Sequence, residues 1–214
     1  MSNWQLVFSS LSVFLLTTTA CFAGAYEDFF QALERDDEAV VVGLLRRGMD
    51  VDSVDPDGNT PLMLAARTGR RQMLETLLRN KANILKINKY NDSALMLAAL
   101  RGHGEIVESL VSKGADINPL GWTPLIYAAF EGRTSIARFL LEEGADVDAK
   151  SPNGTTALMA ATRNAHLETV EMLVEEGADL EAKNQQGQTA MDLATVAGHT
   201  NIAKILIRAK ESRP

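Results

Sequence analysis

Three histidines and one cysteine are among the residues of this sequence that could ligate a transition metal or act as a base or nucleophile. His103, His166 and His199 each stand at the same place, immediately before an apolar helical segment. Corresponding helices of a stacked array lie roughly 8–10 Å apart, and no neighbouring Cys or carboxylate completes a tetrahedral ligand set. We therefore interpret the histidines as structural and predict no metal site.

The sequence contains none of the common catalytic patterns named below. No phosphate-binding Walker loop occurs, no G-x-G-x-x-G segment opens a helix after a strand, and no Ser-His-Asp geometry can be argued. The single cysteine, Cys21, lies in an N-terminal segment that is distinct from the rest of the chain. The sequence therefore predicts a protein that is not an enzyme and uses no cofactor.

The charge balance narrows the class of partner. The chain carries 21 basic and 28 acidic residues, which gives a net charge of −7, and it contains no long basic run. This balance argues against nucleic acid or an anionic membrane surface as the main partner. Acidic pairs such as Glu142-Glu143 and Glu175-Glu176 fall at predicted helix ends, where we interpret them as a solvated face.

A repeated segment of about 33 residues organises most of the chain. Its first glycine, Gly58, aligns with Asn91, Gly121, Gly154 and Gly187, in steps of 33, 30, 33 and 33 residues. A fixed period of this size indicates a stacked solenoid. Since 46% of the residues are hydrophobic, 214 residues can bury one continuous core.

One repeat shows why the segment should fold as two helices. Thr60 suits a helix N-cap, and Pro61 then occupies the first helical position, where a missing N–H costs nothing. Gly69 can end that short helix in a left-handed conformation. Apolar residues then recur in 73–78 with the spacing of a second amphipathic helix. One such pair cannot bury its own apolar face, so it must stack on its neighbours.

These segments resemble the ankyrin repeat family, whose repeats carry G-x-T-P-L-H-x-A-A, then G-H, then a V/I-V-x-x-L-L helix and G-A-D. The resemblance covers nearly all of residues 26–210. It implies an all-α solenoid of stacked helix-turn-helix units joined by β-hairpin-like loops, here called fingers. It also implies that a protein partner binds the concave surface formed by the finger tips and the exposed start of the first helices.

The repeat register predicts six units after an N-terminal segment. The first unit lacks the glycine-Thr-Pro start and offers a polar outer side, as a terminal capping unit requires. Unit four is three residues short, because Asn118 leads to Gly121 through Pro119-Leu120, so its finger should be truncated. The predicted units are 26–52 (N-terminal cap), 53–85, 86–118, 119–148, 149–181 and 182–214 (C-terminal cap).

Several positions depart from the family pattern. After T-P-L, where the family often has His, this chain has Met63, Met96, Ile126, Met159 and Asp192. We therefore expect packing, in the main, to replace the usual histidine hydrogen bonds. Lys81 and Ala165 stand where other repeats have glycine, so each should place a Cβ at a positive φ, at a cost of about 1 kcal/mol.

The N-terminal segment 1–25 reads as a secretory signal peptide. Leu6–Leu16 is a mostly apolar run too short to span a bilayer as a helix. Ala23-Gly24-Ala25 fits the small-x-small rule for cleavage after Ala25, with cleavage after Ala23 as the second choice, although no Lys or Arg precedes the apolar run. Thr18–Cys21 resembles a bacterial lipoprotein box, but Thr18 replaces its usual Leu, so we favour cleavage over lipidation of Cys21.

Candidate binding residues follow from the surface that the family resemblance implies. Large apolar side chains that packing does not demand are candidate hot spots, and they concentrate in units three and four. For Trp122, two interpretations remain open: it is an anchor for a partner, or it folds back over the shortened finger. The candidate residues are Arg67, Tyr90, Leu100, Arg101, Leu120, Trp122, Phe130 and Arg163.

The sequence thus predicts an exported, monomeric protein-binding module, bacterial and located in the periplasm or secreted, without stable membrane insertion after cleavage. An alternative is a periplasmic accessory factor that supports a partner enzyme, since some exported bacterial members of the family are linked to oxidative-stress defence. A secreted effector or toxin-neutralising protein is a third possibility. The residues do not name the partner.

Overall fold

A computed structural model describes residues 24–212, and twelve helices in six consecutive pairs make up this part of the chain. The predicted all-α solenoid is confirmed. The apolar run 6–16 and Cys21 lie outside the described residues. The helices are α1 (24–34), α2 (Glu38–Arg46), α3 (Pro61–Thr68), α4 (Arg71–Arg79), α5 (Ala94–Arg101), α6 (Gly104–Ser112), α7 (Pro124–Phe130), α8 (Thr134–Glu142), α9 (Ala157–Arg163), α10 (Leu167–Glu175), α11 (Ala190–Val196) and α12 (Thr200–Ser212).

The first helix of each pair from α3 onward begins at a hydroxyl N-cap. In each case the side-chain oxygen accepts a hydrogen bond from the backbone N–H three residues later, which satisfies one of the unpaired donors at a helix start. Pro61 and Pro124 occupy the first helical position, as the sequence predicts. The five N-cap residues are Thr60, Ser93, Thr123, Thr156 and Thr189.

The residues that replace the family's histidine also contribute to these caps. The sulfur atoms of Met63 and Met96 accept hydrogen bonds from the backbone N–H groups of Thr60 and Ser93. The Asp192 carboxylate accepts from the N–H and hydroxyl of Thr189, and these hydrogen bonds lower the pKa of Asp192. These residues therefore replace the family's histidine by hydrogen bonding as well as by packing, because three of the five close a capping box.

The pairs stack so that like helices lie side by side. Helices α3, α5, α7, α9 and α11 form one row, and α2, α4, α6, α8, α10 and α12 form the other. Between the rows runs a continuous core in which Leu74, Leu77, Leu110 and Leu125 are almost inaccessible to solvent. Since each helix pair contributes an equivalent layer, stability accumulates along the array rather than at one centre.

The first helix pair closes the array at its N-terminal end. Phe29 and Leu33 of α1 and Val41 of α2 are buried against the core, whereas Glu27, Asp28, Gln31 and Glu34 are exposed. The Tyr26 hydroxyl donates a hydrogen bond to the carbonyl of Val54, 2.5 Å away. This polar outer side with an apolar inner side is what a terminal unit of a solenoid requires.

The fingers are turns held by side-chain acceptors rather than extended hairpins. Asn88 shows the arrangement, because its side-chain oxygen accepts from the N–H groups of Tyr90 and Asp92. One isolated antiparallel bridge joins Ile87 and Ser93. Asp55, Ser151 and Asn184 hold equivalent turns in other units.

Neighbouring fingers are joined by backbone hydrogen bonds except at unit four. The N–H of Lys89 donates to Asp57, and that of Gln185 donates to Asn153. Among the described residues no such bond involves 119–122, where the three-residue deletion falls. The finger ladder is therefore interrupted at the predicted truncated finger.

Two positions that lack glycine adopt the left-handed backbone that the sequence predicts. Lys81 has a φ of 67° and Ala165 a φ of 60°. Units one, three, four and five carry glycine at the position of Lys81, for example Gly114, whose φ is 87°. Each L side chain there is held in a conformation that costs free energy.

Replacing Lys81 with glycine should raise the free energy of unfolding by about 0.5–1 kcal/mol, because it relieves the strain at an exposed residue, while glycine's unfolded-state entropy offsets part of the gain. Urea melts followed by circular dichroism measure the change. Gly114→Ala is the reverse control, since no atom lies within 4 Å of its added Cβ, and it should lose about 1 kcal/mol. A Lys81→Gly variant that is less stable would contradict the strain argument.

A second stability prediction concerns Thr162 in α9. Its hydroxyl oxygen is buried without a hydrogen-bond partner, whereas that of Thr169, equally buried, lies 2.9 Å from the hydroxyl of Thr134. We expect Thr162→Val to stabilise the array by about 1 kcal/mol and Thr169→Val to destabilise it by a similar amount. Thermal melts of both variants measure these changes. A shift in melting temperature of the same sign in both would contradict the assignment of an unpaired hydroxyl to Thr162.

Candidate protein-binding surface

One residue at the end of each first helix forms a row along the array. Each lies seven positions after its N-cap, so the row keeps strict repeat register. We expected these side chains at the starts of the first helices, but the structure places them at the carboxyl ends. We call these residues the helix-end row: Arg67, Leu100, Phe130, Arg163 and Val196.

The three histidines fix the backbone of this row. Nε2 of His103, His166 and His199 lies 3.2, 2.9 and 3.3 Å from the carbonyl oxygens of Arg67, Phe130 and Arg163 respectively. A carbonyl oxygen only accepts, so Nε2 carries the donated hydrogen in each case. Each histidine thus caps the end of the preceding unit's first helix, where carbonyls would otherwise lack partners. Their interpretation as structural residues is confirmed.

Arg70 occupies the position of these histidines in unit two and serves the same purpose. Its guanidinium donates to the carbonyls of Leu33 and Glu34 at the end of α1. Arg133 is the equivalent residue in unit four, and its side chain packs over Gly102. A cationic or imidazole side chain at this position therefore recurs from unit two to unit six, and in four of these five units it donates a hydrogen bond to a carbonyl at the end of the preceding unit's first helix.

Three aromatic rings meet beside the truncated finger. The ring of Trp122 stacks on Tyr127 with centroids 5.2 Å apart, and it meets Phe130 edge-on at 6.5 Å. Trp122 is half-buried against the core, and Phe130 remains 37% exposed. We call Trp122, Tyr127 and Phe130 the aromatic cluster. Trp122 therefore lies back over α7, while the cluster keeps apolar area at the surface.

Tyr127 ties the aromatic cluster to the finger of unit three. Its hydroxyl donates to Asp92 Oδ1 at 2.7 Å. Burial raises the pKa of the Tyr127 phenol, and the hydrogen bond to the Asp92 carboxylate raises it further, so the phenol stays protonated. This bond bridges the two units at the finger level, where the backbone ladder is missing.

Two large side chains in the fingers of units three and four have little packing of their own. Leu120, in the truncated finger, is 100% exposed, and Tyr90 is 69% exposed. Tyr90 lies two residues from Asp92, which the hydroxyl of Tyr127 binds, so its finger is held beside α7. Exposed leucine and aromatic residues that contribute little to folding are candidates for contact with a partner.

Arginines flank this apolar area along the helix ends. Arg67 is half-buried, and Arg101 and Arg163 are exposed. Within residues 24–212 none of their guanidinium groups has an ion pair or hydrogen bond. The acidic side chains nearby are engaged instead: Asp92 binds Tyr127, and Glu131 lies 3.9 Å from Arg133.

A groove of about 470 Å³ lies between the first two units. Finger residues Asp55 and Pro56 form one side, and the helix-end residues Arg67 and Thr68 form the other, with Tyr26 and Phe30 among the lining residues. Fingers and helix ends therefore border a hollow, as the concave-surface hypothesis requires.

The structure brings together part of the predicted set. Leu100 and Phe130 share the helix-end row, and Trp122 joins Phe130 in the aromatic cluster. Arg67 and Arg163 lie three units apart in that row, so they belong to the same surface without being neighbours. Sequence reasoning missed Tyr127, because its position corresponds to apolar residues such as Leu64 and Leu97 elsewhere; the only available signal was a hydroxyl at a site that otherwise carries none.

Neither a candidate metal site nor a candidate membrane-spanning helix occurs in the part of the chain that the structure describes. No group of three or more His, Cys, Asp or Glu side chains there could hold a metal ion. None of the helices in residues 24–212 combines the length and apolar character needed to traverse a bilayer.

Stacked helix pairs, capped at each turn and edged by short fingers, define a repeat protein with an extended surface for recognition. The family model for ankyrin repeats (3 copies) matches residues 29–120, 86–151 and 147–213, and the chain belongs to the ankyrin repeat family. Members of this family are typically non-catalytic protein–protein interaction modules. A comparison with curated proteins finds no match for the chain.

Proposed function

We propose that this ankyrin repeat protein binds one protein partner through the surface formed by the helix-end row, the aromatic cluster and the fingers of units three and four. The observation that carries the proposal is Leu120, a fully exposed leucine in the truncated finger. An exposed leucine two residues before Trp122 of the aromatic cluster contributes nothing to folding, but it gives a partner apolar area to desolvate.

The hydrogen bonds that hold this surface in place are consistent with a binding role. Histidine hydrogen bonds hold the backbone of Phe130 and of two other members of the row, Arg67 and Arg163. The bond between Tyr127 and Asp92 holds the finger that carries Tyr90. A surface whose backbone is already ordered loses less conformational entropy on binding. The protein would thus present its contact residues in place, with little rearrangement on binding.

Site-specific photo-cross-linking in the native cell tests the proposal. A photoreactive amino acid at Leu120 should form one major protein adduct. The control places the same group at Leu167, which is 39% exposed on α10 in the second-helix row. Adducts from both positions at equal yield, or from Leu167 alone, would contradict the proposed surface.

The proposal includes export of the chain, with residues 1–25 as a cleavable leader. Cleavage after Ala25 would give a protein that begins at Tyr26 and contains no cysteine. N-terminal sequencing of protein from the cell envelope and the medium tests this point. An intact Met1 on a cytoplasmic form would contradict export, and a lipid on Cys21 would replace a free periplasmic form with an anchored one.

A further inference from the structure

The helix-end row carries a charge pattern that the proposed function does not use. In chain order the row reads Arg67, Leu100, Phe130, Arg163 and Val196. Its first four members are therefore cation, apolar, apolar, cation. Since first helices α3, α5, α7 and α9 pack in succession, these four side chains follow one another along a single line.

The two outer arginines are available to a ligand. Neither Arg67 nor Arg163 has a side-chain partner among the described residues. Two exposed arginines of the second-helix row differ, since Arg71 and Arg138 pair with Glu105 and Glu176 at 2.5 and 3.6 Å. A guanidinium without a partner beside an apolar strip is suited to accept a carboxylate from a bound chain.

Three acidic side chains of the fingers and helix ends are already engaged. The Asp55 carboxylate accepts from the N–H groups of Asp57 and Asn59 and from the side-chain amide of Asn59. Asp92 binds Tyr127, as described above, and Glu131 pairs with Arg133. The first four members of the row therefore begin and end with a guanidinium, although Glu27 and Glu34 also line the groove that Arg67 borders and the whole chain carries a net charge of −7.

Resting on the proposed function, we infer that the partner presents an extended segment with two acidic residues flanking two apolar ones. Successive first helices lie roughly 8–10 Å apart, so Arg67 and Arg163 are separated by roughly 24–30 Å. An extended chain rises about 3.3 Å per residue. The segment thus places an acidic residue at each end and apolar residues at about every third position between them.

The surroundings of the row extend this assignment. The groove between the first two units lies directly beside Arg67 and is lined by Tyr26 and Phe30. A further apolar side chain beyond the first acidic residue would enter it. Arg101 follows Leu100 in sequence and is exposed, so an additional acidic residue near the centre of the segment is also accommodated.

Selection from a library of random peptides, displayed on phage and each about twelve residues long, tests the inference with the full chain. The enriched peptides should carry two apolar residues flanked by Asp or Glu. When the same library is selected for binding to the Arg67→Glu/Arg163→Glu variant, the enriched peptides should carry Lys or Arg in place of the flanking acidic residues. The control variant Arg46→Glu/Arg208→Glu makes the same change in net charge at two exposed residues on α2 and α12 and should retain the acidic pattern.

Affinity measurements then give the size of the effect that we expect from the charge reversal. A representative acidic peptide, followed by fluorescence anisotropy, should bind the Arg67→Glu/Arg163→Glu variant at least tenfold more weakly than the natural chain, with little change for the control. Enriched peptides without acidic residues, or a pattern that the charge reversal leaves unchanged, would overturn the inference. If such apolar peptides bind the Phe130→Ala variant more weakly than the natural chain, the proposed surface stands and only its charge preference is wrong. A library that yields no enriched peptide would contradict both this inference and the proposed function.

Discussion

Replacing Gly132 with alanine should lower the free energy of unfolding by about 2–3 kcal/mol. Gly132 has a φ of 66°, where an L side chain costs about 1 kcal/mol. A Cβ there would lie 2.5 Å from Nδ1 of His166. The imidazole ring must move, so the hydrogen bond to the Phe130 carbonyl weakens as well, at about 1 kcal/mol.

Gly198→Ala is the matched control for this experiment. Gly198 occupies the same turn in the last unit with a φ of 72°, but no atom lies within 4 Å of an added Cβ. It should lose only the backbone cost of about 1 kcal/mol. Urea melts of both variants provide the comparison, and equal losses would show that contact with His166 contributes nothing. The natural Ala165 fits this expectation, since Nε2 of the following histidine, His199, lies 3.3 Å from the carbonyl oxygen of Arg163, whereas Nε2 of His166 lies 2.9 Å from that of Phe130.

Replacing Trp122 or Tyr90 with alanine should weaken partner capture at least tenfold, for different reasons. Trp122 supports the position of Phe130, so its loss should also destabilise the array by about 1–2 kcal/mol through two lost aromatic contacts. Tyr90 is 69% exposed, so its replacement should reduce binding without changing stability. Quantitative pull-down of the cross-linked partner, with circular dichroism on each variant, measures both effects.

Asp57→Ala and Gln188→Ala serve as controls on fingers at either side of this surface. Both should affect capture much less than Tyr90→Ala. If Trp122→Ala unfolds the array, Trp122 belongs to the core and the anchor must be sought elsewhere on the row. If Tyr90→Ala leaves capture unchanged, the finger of unit three lies outside the contact area.

Repeat register explains why so much of the fold could be predicted. Thr60 and Gly69 mark a helix start and end by local backbone chemistry; a hydroxyl N-cap recurs in units two to six, and the glycine recurs in four of these five units. The positive φ of Lys81 followed from alignment with glycine, because position within a repeat determines backbone conformation. The structural role of the histidines followed in the same way, although the carbonyls that they bind lie in the preceding unit.

Contacts between side chains of different units were harder to predict. The bond from Tyr127 to Asp92 joins two residues that have no common pattern along the chain. The direction of Trp122 depends on which neighbours offer a surface, and sequence spacing contains no information on that choice. Met63 and Met96 were assigned to packing, because a thioether is a weak acceptor and its use in a cap depends on rotamer. Binding residues were therefore predicted by position but not by arrangement.

The interrupted finger ladder has a mechanical meaning for the array. Backbone bonds between fingers stiffen the edge on which they lie, as the link from Lys89 to Asp57 does for units two and three. At the truncated finger that edge loses its backbone links, while the helix rows continue on the other side. An array whose edge is stiffened by such bonds bends most easily where they stop. At Leu120 and the aromatic cluster the hydrogen bond from Tyr127 to Asp92 takes over this function, so the stiffness of the contact surface depends there on a side-chain link instead of a backbone link.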